Sequence, residues 1–417
     1  LSGNLNERRR QGLGSQKGIR GTSYIIFLST EKQVMDFTLT TEQQMIRDLC
    51  KNFVKNEIAP IAAEMDQTGQ FPYEVWKKMG DLGMVGIPFP EEYGGGGMDW
   101  LSMFIAIEEI SRGDASLGVS LLDSVTLSAN LIFTFGREEQ RQKWLIPLAT
   151  GEKIGAFGLT EPQAGSDASA IQTRAVLEGD EWVINGTKQF ITNAGLKHNS
   201  LVVIAAVTGE GEGTRKRISN IIVPTGVAGY NFGEKYKKVG WRASETRELI
   251  FDECRVPKEN ILGNPEKGYA QFMMALQTSR IGIAAHSVGL AQGIFDVSLA
   301  YAKEREQFGR SISKFQAIQF KLVDMLMEIE LARLMVYKAA WQKDQGENYF
   351  ATSTYAKIFA SEVAKRCVDQ GVQIHGGYGL MDEYPISRYW REVKFDEILD
   401  GTSEIQRLNI AQKILKL

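Results

Sequence analysis

The run Phe395-Asp396-Glu397-Ile398-Leu399-Asp400-Gly401-Thr402-Ser403-Glu404-Ile405-Gln406-Arg407 carries the strongest chemical signal in the chain. It sets a carboxylate, Asp400, directly before a Gly401-Thr402 turn, with a helix expected from Ser403 to Leu415. A short acid on a turn feeding a helix N-terminus can be aimed at a ligand held by backbone N–H groups, and such an acid suits proton abstraction. A second acid, Asp123, interrupts the otherwise apolar or small-residue run from Leu117 to Leu127. A buried Asp must find hydrogen-bond partners or take up a proton.

Four other segments combine turn residues with groups suited to a planar, phosphorylated ligand. Leu159-Thr160-Glu161-Pro162-Gln163-Ala164-Gly165-Ser166-Asp167 and Phe190-Ile191-Thr192-Asn193 offer hydroxyls, an aromatic ring and close backbone approach. Arg305-Glu306-Gln307-Phe308-Gly309, with Gln316 beyond, places an Arg beside an aromatic, which suits a pyrophosphate and an adenine. His375-Gly376-Gly377-Tyr378-Gly379 closes the set; with glycines on its far side, His375 reads as structural or as a neighbour of the ligand rather than as a base. Each of these alone also reads as an ordinary turn or a solvated charge. No Gly-x-Gly-x-x-Gly stands between a strand and a helix, and Gly94 to Gly97 reads as a loop between helices.

The elements around these residues change character twice. Thr41 followed by Gln44 suits a capping box, and Ile46, Leu49, Phe53 and Ile58 recur at helical spacing until Pro60 interrupts. Asp99 can cap a second helix, and Ala115 to Phe135 makes a third, largely apolar one. After about residue 155 short β-rich runs take over: Glu181 to Ile184 followed by Asn185-Gly186 as a hairpin turn, then Leu201 to Val207, Asn220 to Val223 and Glu248 to Phe251. Gly209 to Arg217 reads as an exposed hairpin tip. From Gly268 the helical period returns, with candidates from Tyr269 to Glu304, Lys314 to Gln345 and Tyr349 to about Ile374, long enough to pack as an antiparallel bundle.

The expected architecture is therefore multi-domain α and β. Residues 1–34 form a leader, a tag or a mis-assigned start, 35–155 an N-terminal α-helical domain, 156–267 a middle β-barrel-like domain, and 268–417 a C-terminal four-helix-bundle domain. The 417 residues, 43% hydrophobic and 24% charged, are ordinary for a soluble enzyme. A net charge of −3 gives no electrostatic reason to expect nucleic acid as a partner. Cys50, Cys254 and Cys367 lie far apart without metal-ligand spacing and suit a reducing compartment. No stretch is read as approaching the roughly 18 apolar residues that span a bilayer, so no membrane span is expected. A cytoplasmic location is expected, with the mitochondrial matrix as the alternative suggested by the basic, acid-poor leader.

The Thr160-Glu161-Pro162, His375-Gly376-Gly377 and Asp400-Gly401-Thr402 motifs, in an α, β, α order, resemble the acyl-CoA dehydrogenase family from Met35 onward. The resemblance implies FAD as cofactor, bound by Phe157, Leu159, Thr160, Phe190, Thr192, Thr402 and Glu404. Arg305, Phe308 and Gln316 would reach the FAD of a neighbouring subunit, with Gln373, Gly376 and Gly377 lining the other side of the dinucleotide. It implies an acyl-CoA substrate contacted by Ser166, Arg280, Leu399 and Gly401, a homotetramer, and an electron-transferring flavoprotein as partner. Family enzymes remove an α-proton while a β-hydride goes to the flavin, the thioester oxygen being held by the backbone N–H of the catalytic acid and a ribityl hydroxyl. Asp400 stands at that acid's position, where most members have Glu. Some members carry the base just before the Arg matching Arg280; that position is Ser279 here, which offers no carboxylate.

The Asp side chain is shorter than Glu by one C–C bond, about 1.5 Å, and a shortfall near 1 Å can cost roughly 10²-fold in rate. Either the enzyme is a weakened general dehydrogenase or its substrate fills the gap, as a short, α-branched or alicyclic acyl-CoA would. For Asp123 two readings stand: hydrogen bonding to Ser120, Thr126 or a backbone group, or a polar pocket group acting as a second base toward a remote ring carbon. The alternatives are a straight short-chain (butyryl-type) dehydrogenase, a nitroalkane oxidase-like flavoenzyme, which uses Asp as its base, and a catalytically silent acyl-CoA-binding subunit.

Overall fold

Thr40, one residue earlier than the spacing suggested, caps the first helix (Thr41–Phe53): its Oγ1 accepts from the Gln43 N–H at 3.2 Å, and Gln43 Oε1 accepts from the Thr40 N–H at 3.0 Å. Thr-Thr followed by Gln-Gln reads the same in either frame, and the frame adopted buries Gln43, Cys50 and Phe53. The computed structural model describes residues 38–211 and 216–416; the expected leader and the outermost part of the Gly209–Arg217 tip lie outside them. The helical path breaks after Ile58 around Pro60 and resumes at Ala62–Thr68. Asp99 caps Trp100–Gly113 by accepting from the Ser102 N–H at 2.8 Å. At the same helix end, Asp344 accepts from the Trp100 and Leu101 N–H groups at 2.8 and 3.1 Å, fastening the N-terminal helices to the C-terminal ones.

The third helix, Ala115–Phe135, is long and apolar enough to cross a membrane by composition, as is Pro265–Glu304. That corrects the expectation that no stretch approaches the required length. Both are packed inside the protein, the first almost wholly, and read as core helices. Ala115–Phe135 widens into a π-helical turn at Ser124–Ala129, directly after Asp123.

The middle region is an eight-stranded sheet of β1 (Ile154–Gly158), β2 (Arg174–Glu178), β3 (Glu181–Thr192), β4 (Asn199–Glu210), β5 (Lys216–Pro224), β6 (Tyr230–Phe232), β7 (Thr246–Pro257) and β8 (Ile261–Leu262). The order is β6-β7-β3-β2-β4-β5-β8, with β1 parallel to β4. Alternate residues such as Ile184, Ile191, Val202, Ile204, Ile221 and Leu249 form its core. Asn185-Gly186 is not the hairpin turn. β3 runs straight through it, and the β2–β3 reversal falls at Gly179-Asp180. Asn185-Gly186 is instead an irregularity in the β3–β7 pairing, where Gly186 has φ +145°. Any Cβ there would lie 2.6 Å from Thr173 Oγ1, so the pair's permissive backbone serves a bulge rather than a turn.

The C-terminal helices run Gly268–Glu304, Gln316–Asp344 and Phe350–His375, within two residues of the expected limits, and Ser403–Leu415 packs on the third. From Thr40 onward these elements belong to one compact unit.

Candidate functional site

Asp400 sits between the Phe395–Glu397 turn and the Ser403–Leu415 helix, whose cap Thr402 accepts from the Ile405 N–H at 3.3 Å. Its backbone is left-handed, φ +54°, and Gly401 follows at φ +101°. For a residue with a Cβ this conformation costs on the order of 1–3 kcal/mol, so the surroundings must hold it. Gln406 Nε2 donates to the Asp400 carbonyl at 2.9 Å, and Lys357 Nζ donates to the Gly401 carbonyl at 2.8 Å. The carboxylate accepts a short hydrogen bond from the Ser279 hydroxyl. Burial pushes the Asp400 pKa up, while the Ser279 hydrogen bond, Lys357 and Arg280 pull against it. The result is an acid poised above the ordinary carboxylate range, as a base working near neutrality requires.

Three expected site residues gather here. Arg280 follows Ser279 on the Gly268–Glu304 helix, is 6% exposed, and its Nε finds no partner. Burial lowers its pKa and the Asp400 carboxylate opposes that shift. Leu399 is half-buried on the approach to the turn. Asp123 reaches the same place from the Ala115–Phe135 helix. It is 7% exposed, its Oδ2 has no hydrogen-bond partner, and burial followed by the Asp400 charge raises its pKa well above the usual value. The hydroxyls expected to satisfy it are committed elsewhere: Thr126 Oγ1 donates to the Leu122 carbonyl at 2.8 Å, and Ser120 Oγ to the Ser116 carbonyl at 2.9 Å. The two helices meet closely at Gly282, where a Cβ would lie 3.0 Å from Leu122 Cγ and 3.4 Å from Thr126 Cγ2.

Two of the residues expected along a flavin ring lie on elements that pack against the helices carrying this cluster. Phe157, on β1, stacks on Phe272 at 4.4 Å between ring centroids, and Phe272 lies two helical turns, about 10 Å, before Ser279. Thr192 is buried, and the adjacent Asn193 Nδ2 donates to the Ser120 carbonyl at 3.0 Å, joining the end of β3 to the Asp123 helix. Leu159 is buried and Thr160 half-buried. Their loop is pinned from beneath by an ion pair: Lys188 Nζ donates to Glu161 Oε1 at 2.7 Å and to the Leu159 carbonyl at 3.1 Å. Burial would raise the Glu161 pKa, but Lys188 and the hydrogen bonds from Thr173 and Gln172 bring it down to about 2. Phe190 is exposed, with φ +62°. Ser166 and Glu404 are exposed, Ser166 on the loop after β1 and Glu404 in the first turn of its helix.

The remaining expected residues lie elsewhere on the surface. Phe308-Gly309 is the tip of a two-stranded hairpin (Glu306–Gln307 with Arg310–Ser311), with φ +53° and +74°. The Phe308 ring is 93% exposed. Arg305 packs 5.4 Å over the Tyr378 ring, beside exposed Gly376 and Gly377, where an added Cβ would meet nothing within 4 Å. Gln316 and Gln373 are exposed nearby in sequence. His375 is held by the fold: its Nδ1 pairs with the Gly371 carbonyl at 2.8 Å and its ring stacks on Tyr301 at 4.3 Å. Open aromatic faces, unobstructed glycines and a hydroxyl-bearing strand end suit FAD, a flat ring system joined to a pyrophosphate.

Sequence reasoning did not single out Lys357, Gln406, Lys188 or Glu161, and saw Ser279 only as a missing carboxylate. Each bonds a residue distant in the chain or a backbone carbonyl, and a single Lys or Gln carries no signal of that.

Three family models match: the acyl-CoA dehydrogenase N-terminal domain over residues 40–152, the middle domain over 156–254 and the C-terminal domain over 266–415. A probable acyl-CoA dehydrogenase of Bacillus subtilis is 53% identical over 92% of the chain and all of its own length. A short-chain specific acyl-CoA dehydrogenase of Clostridium acetobutylicum is 50% identical with the same coverage. Among solved structures, butyryl-CoA dehydrogenase from Megasphaera elsdenii superposes with a TM-score of 0.88 at 42% identity, covering 91% of this chain and 100% of its own. A chain from work on the electron transferring flavoprotein of Acidaminococcus fermentans gives 0.89 at 46%, covering 92% and 100%. The chain belongs to the acyl-CoA dehydrogenase family of FAD-dependent oxidoreductases.

Proposed function

We propose that this acyl-CoA dehydrogenase oxidises the Cα–Cβ bond of a short, α-branched or alicyclic acyl-CoA, with Asp400 as the base. The observation that carries the reading is the acid itself: a shortened carboxylate, clamped in a left-handed turn and raised in pKa by burial. Asp400 takes the α-proton onto its carboxylate, and Ser279 holds that carboxylate in place beforehand. FAD, when bound, supplies the acceptor for the β-hydride. Phe157, Leu159, Thr160, Phe190, Thr192, Thr402 and Glu404 would hold its flavin end, and Arg280, Ser166, Leu399 and Gly401 the thioester. Asp123 supports a ring or branch in the pocket: an unpartnered, buried acid gains nothing from a plain saturated chain but can hydrogen-bond a polar group on a ring or branch.

The second reading, a straight butyryl-type substrate, is favoured by the short-chain and butyryl relatives. The acyl-CoA dehydrogenase relatives favour a thioester substrate over the nitroalkane alternative. The exposed Phe308 hairpin, with Arg305 and Gln316, supports a homotetramer in which these residues serve the FAD of a neighbour. The Acidaminococcus match supports an electron-transferring flavoprotein as redox partner, and relatives in Bacillus and Clostridium support a cytoplasmic location. Anaerobic flavin bleaching with butyryl-, α-methylbutyryl-, cyclohexane-carboxyl- and cyclohexene-carboxyl-CoA tests the assignment. Fastest bleaching by a ring or branched thioester is expected; butyryl-CoA as clearly the best substrate would overturn it.

A further inference from the structure

Two wholly buried side chains under the Asp400 turn take no part in the chemistry so far. Lys357 lies on the Phe350–His375 helix and is 0% exposed, with its Nζ on the Gly401 carbonyl at 2.8 Å. Gln406, on the helix that follows the turn, donates from Nε2 to the Asp400 carbonyl at 2.9 Å and to that of Gly401 at 3.3 Å. Both carbonyls of a left-handed dipeptide thus face side-chain donors, and one donor carries a charge. A hydrocarbon of the same length would pack there without the desolvation cost of an ammonium, so packing alone does not explain a lysine. Its burial is felt as a pKa lowered to about 8, with Asp396 and Asp400 drawing it back up.

The charges around Asp400 are mixed. Ser279 and Arg280 face it from the Gly268–Glu304 helix, Lys357 from Phe350–His375, Asp396 from the preceding turn and Asp123 from Ala115–Phe135. Asp396 is itself engaged, accepting from Ser287 Oγ at 2.8 Å and pairing with His286 Nδ1 at 3.0 Å. The other ring nitrogen of His286 faces the Ala115 carbonyl at 3.0 Å. Burial works against a charged ring, but the Asp396 carboxylate and the acceptors at both nitrogens raise the His286 pKa from its usual value, so Asp396 is occupied on that side. Lys357 is thereby left as a cation directed at the Asp400 turn.

We infer that Lys357 and Gln406 are positioning residues for proton abstraction: together they fix the Asp400-Gly401 backbone, and the Lys357 ammonium, seated on the Gly401 carbonyl, favours the carboxylate form of Asp400. The inference rests on the reading of Asp400 as the base. Without the ammonium, Asp400 holds its proton to higher pH and the base form is scarcer at neutrality. Without Gln406, the turn loosens and the rate falls at every pH.

The test uses the full-length flavoprotein with butyryl-CoA as probe, comparing Lys357→Gln, Lys357→Arg, Lys357→Met, Gln406→Met and Asp400→Asn. The pH profile of kcat is read beside difference infrared titration of the Asp400 carboxyl band, which Asp400→Asn identifies. Lys357→Gln removes the charge and offers a neutral donor one bond shorter, with Gln406 still holding both carbonyls, so its acid limb and infrared midpoint rise by about one pH unit or more. Lys357→Arg leaves both in place, and Gln406→Met lowers kcat with the midpoint unmoved. An unchanged midpoint in Lys357→Gln, or an equal shift in Lys357→Arg, overturns the inference. If Lys357→Met does not fold, the Gln and Arg pair still decides. Flavin reduction surviving in Asp400→Asn would sink the base assignment instead, whereas its loss there with an unmoved limb in Lys357→Gln sinks this inference alone.

Discussion

Asp400 and Phe308 share a backbone conformation and nothing else. Both are non-glycine residues near φ +54°, and each is followed by a left-handed glycine. At Asp400 the chain provides its own restraints: Ser279, Lys357 and Gln406 come from three helices to hold one dipeptide. At Phe308 a two-residue hairpin sets the backbone, and the ring projects almost fully into solvent. Asn-Gly would make the same turn with less strain. A strained site whose restraints are all internal needs nothing further to hold it; under the function proposed above, the uncovered Phe308 ring is half of a site that a neighbouring subunit finishes.

Four measurements can break or sharpen that contrast. Asp400→Asn should cut substrate-dependent flavin reduction by about 10³-fold, followed by stopped-flow bleaching, while FAD content stays normal. Asp400→Glu restores the missing methylene and should move the butyryl-to-cyclohexene-carboxyl rate ratio toward butyryl by roughly 10²-fold; an unmoved ratio would remove side-chain length as the source of specificity. Phe308→Gly should relieve local strain yet weaken FAD retention by about tenfold, the worth of one base–aromatic stack. Equilibrium dialysis against FAD, paired with sedimentation, checks it, and a monomer that keeps FAD as tightly as the parent refutes the half-site reading.

The smallest effect belongs to Asp123. Its native pKa is raised by burial, so above the ordinary carboxylate range the unfolded chain releases a proton that the native one retains, and stability falls as pH rises. Asp123→Asn abolishes that slope. Its melting temperature should exceed the parent's at pH 7, by the equivalent of about 1–2 kcal/mol, and converge with it near pH 4. A gain equally large at both pH values would mean that burial does not hold the proton on.

How much of this was legible in the sequence follows from the range of each interaction. The long C-terminal helices announce themselves because their apolar period persists for 26 to 37 residues. The acid turn is legible because its chemistry is packed into consecutive residues. Asn185-Gly186 misled because one backbone preference serves both a hairpin and a bulge, and only the pairing of β3 with β7 decides between them. The Thr40 cap slipped by one residue where a doubled Thr-Thr and Gln-Gln pattern supports two frames. Lys188 is 27 residues from Glu161, and Lys357 is 44 from Gly401. In the sequence such lysines look like solvated charges, and only tertiary packing turns them inward.

Gly282 gives a handle on the packing beside Asp123 that alters neither acid. It is the point where the Asp123 helix leans on the helix bearing Ser279, with Leu122 close enough that its side chain must give way to one added methyl. Alanine there would act as a shim, pressing the Leu122 side chain back by a few tenths of an ångström beside Asp123. The seating of Asp123 against the Ser279 helix is thus adjustable at a position that bears no side chain of its own.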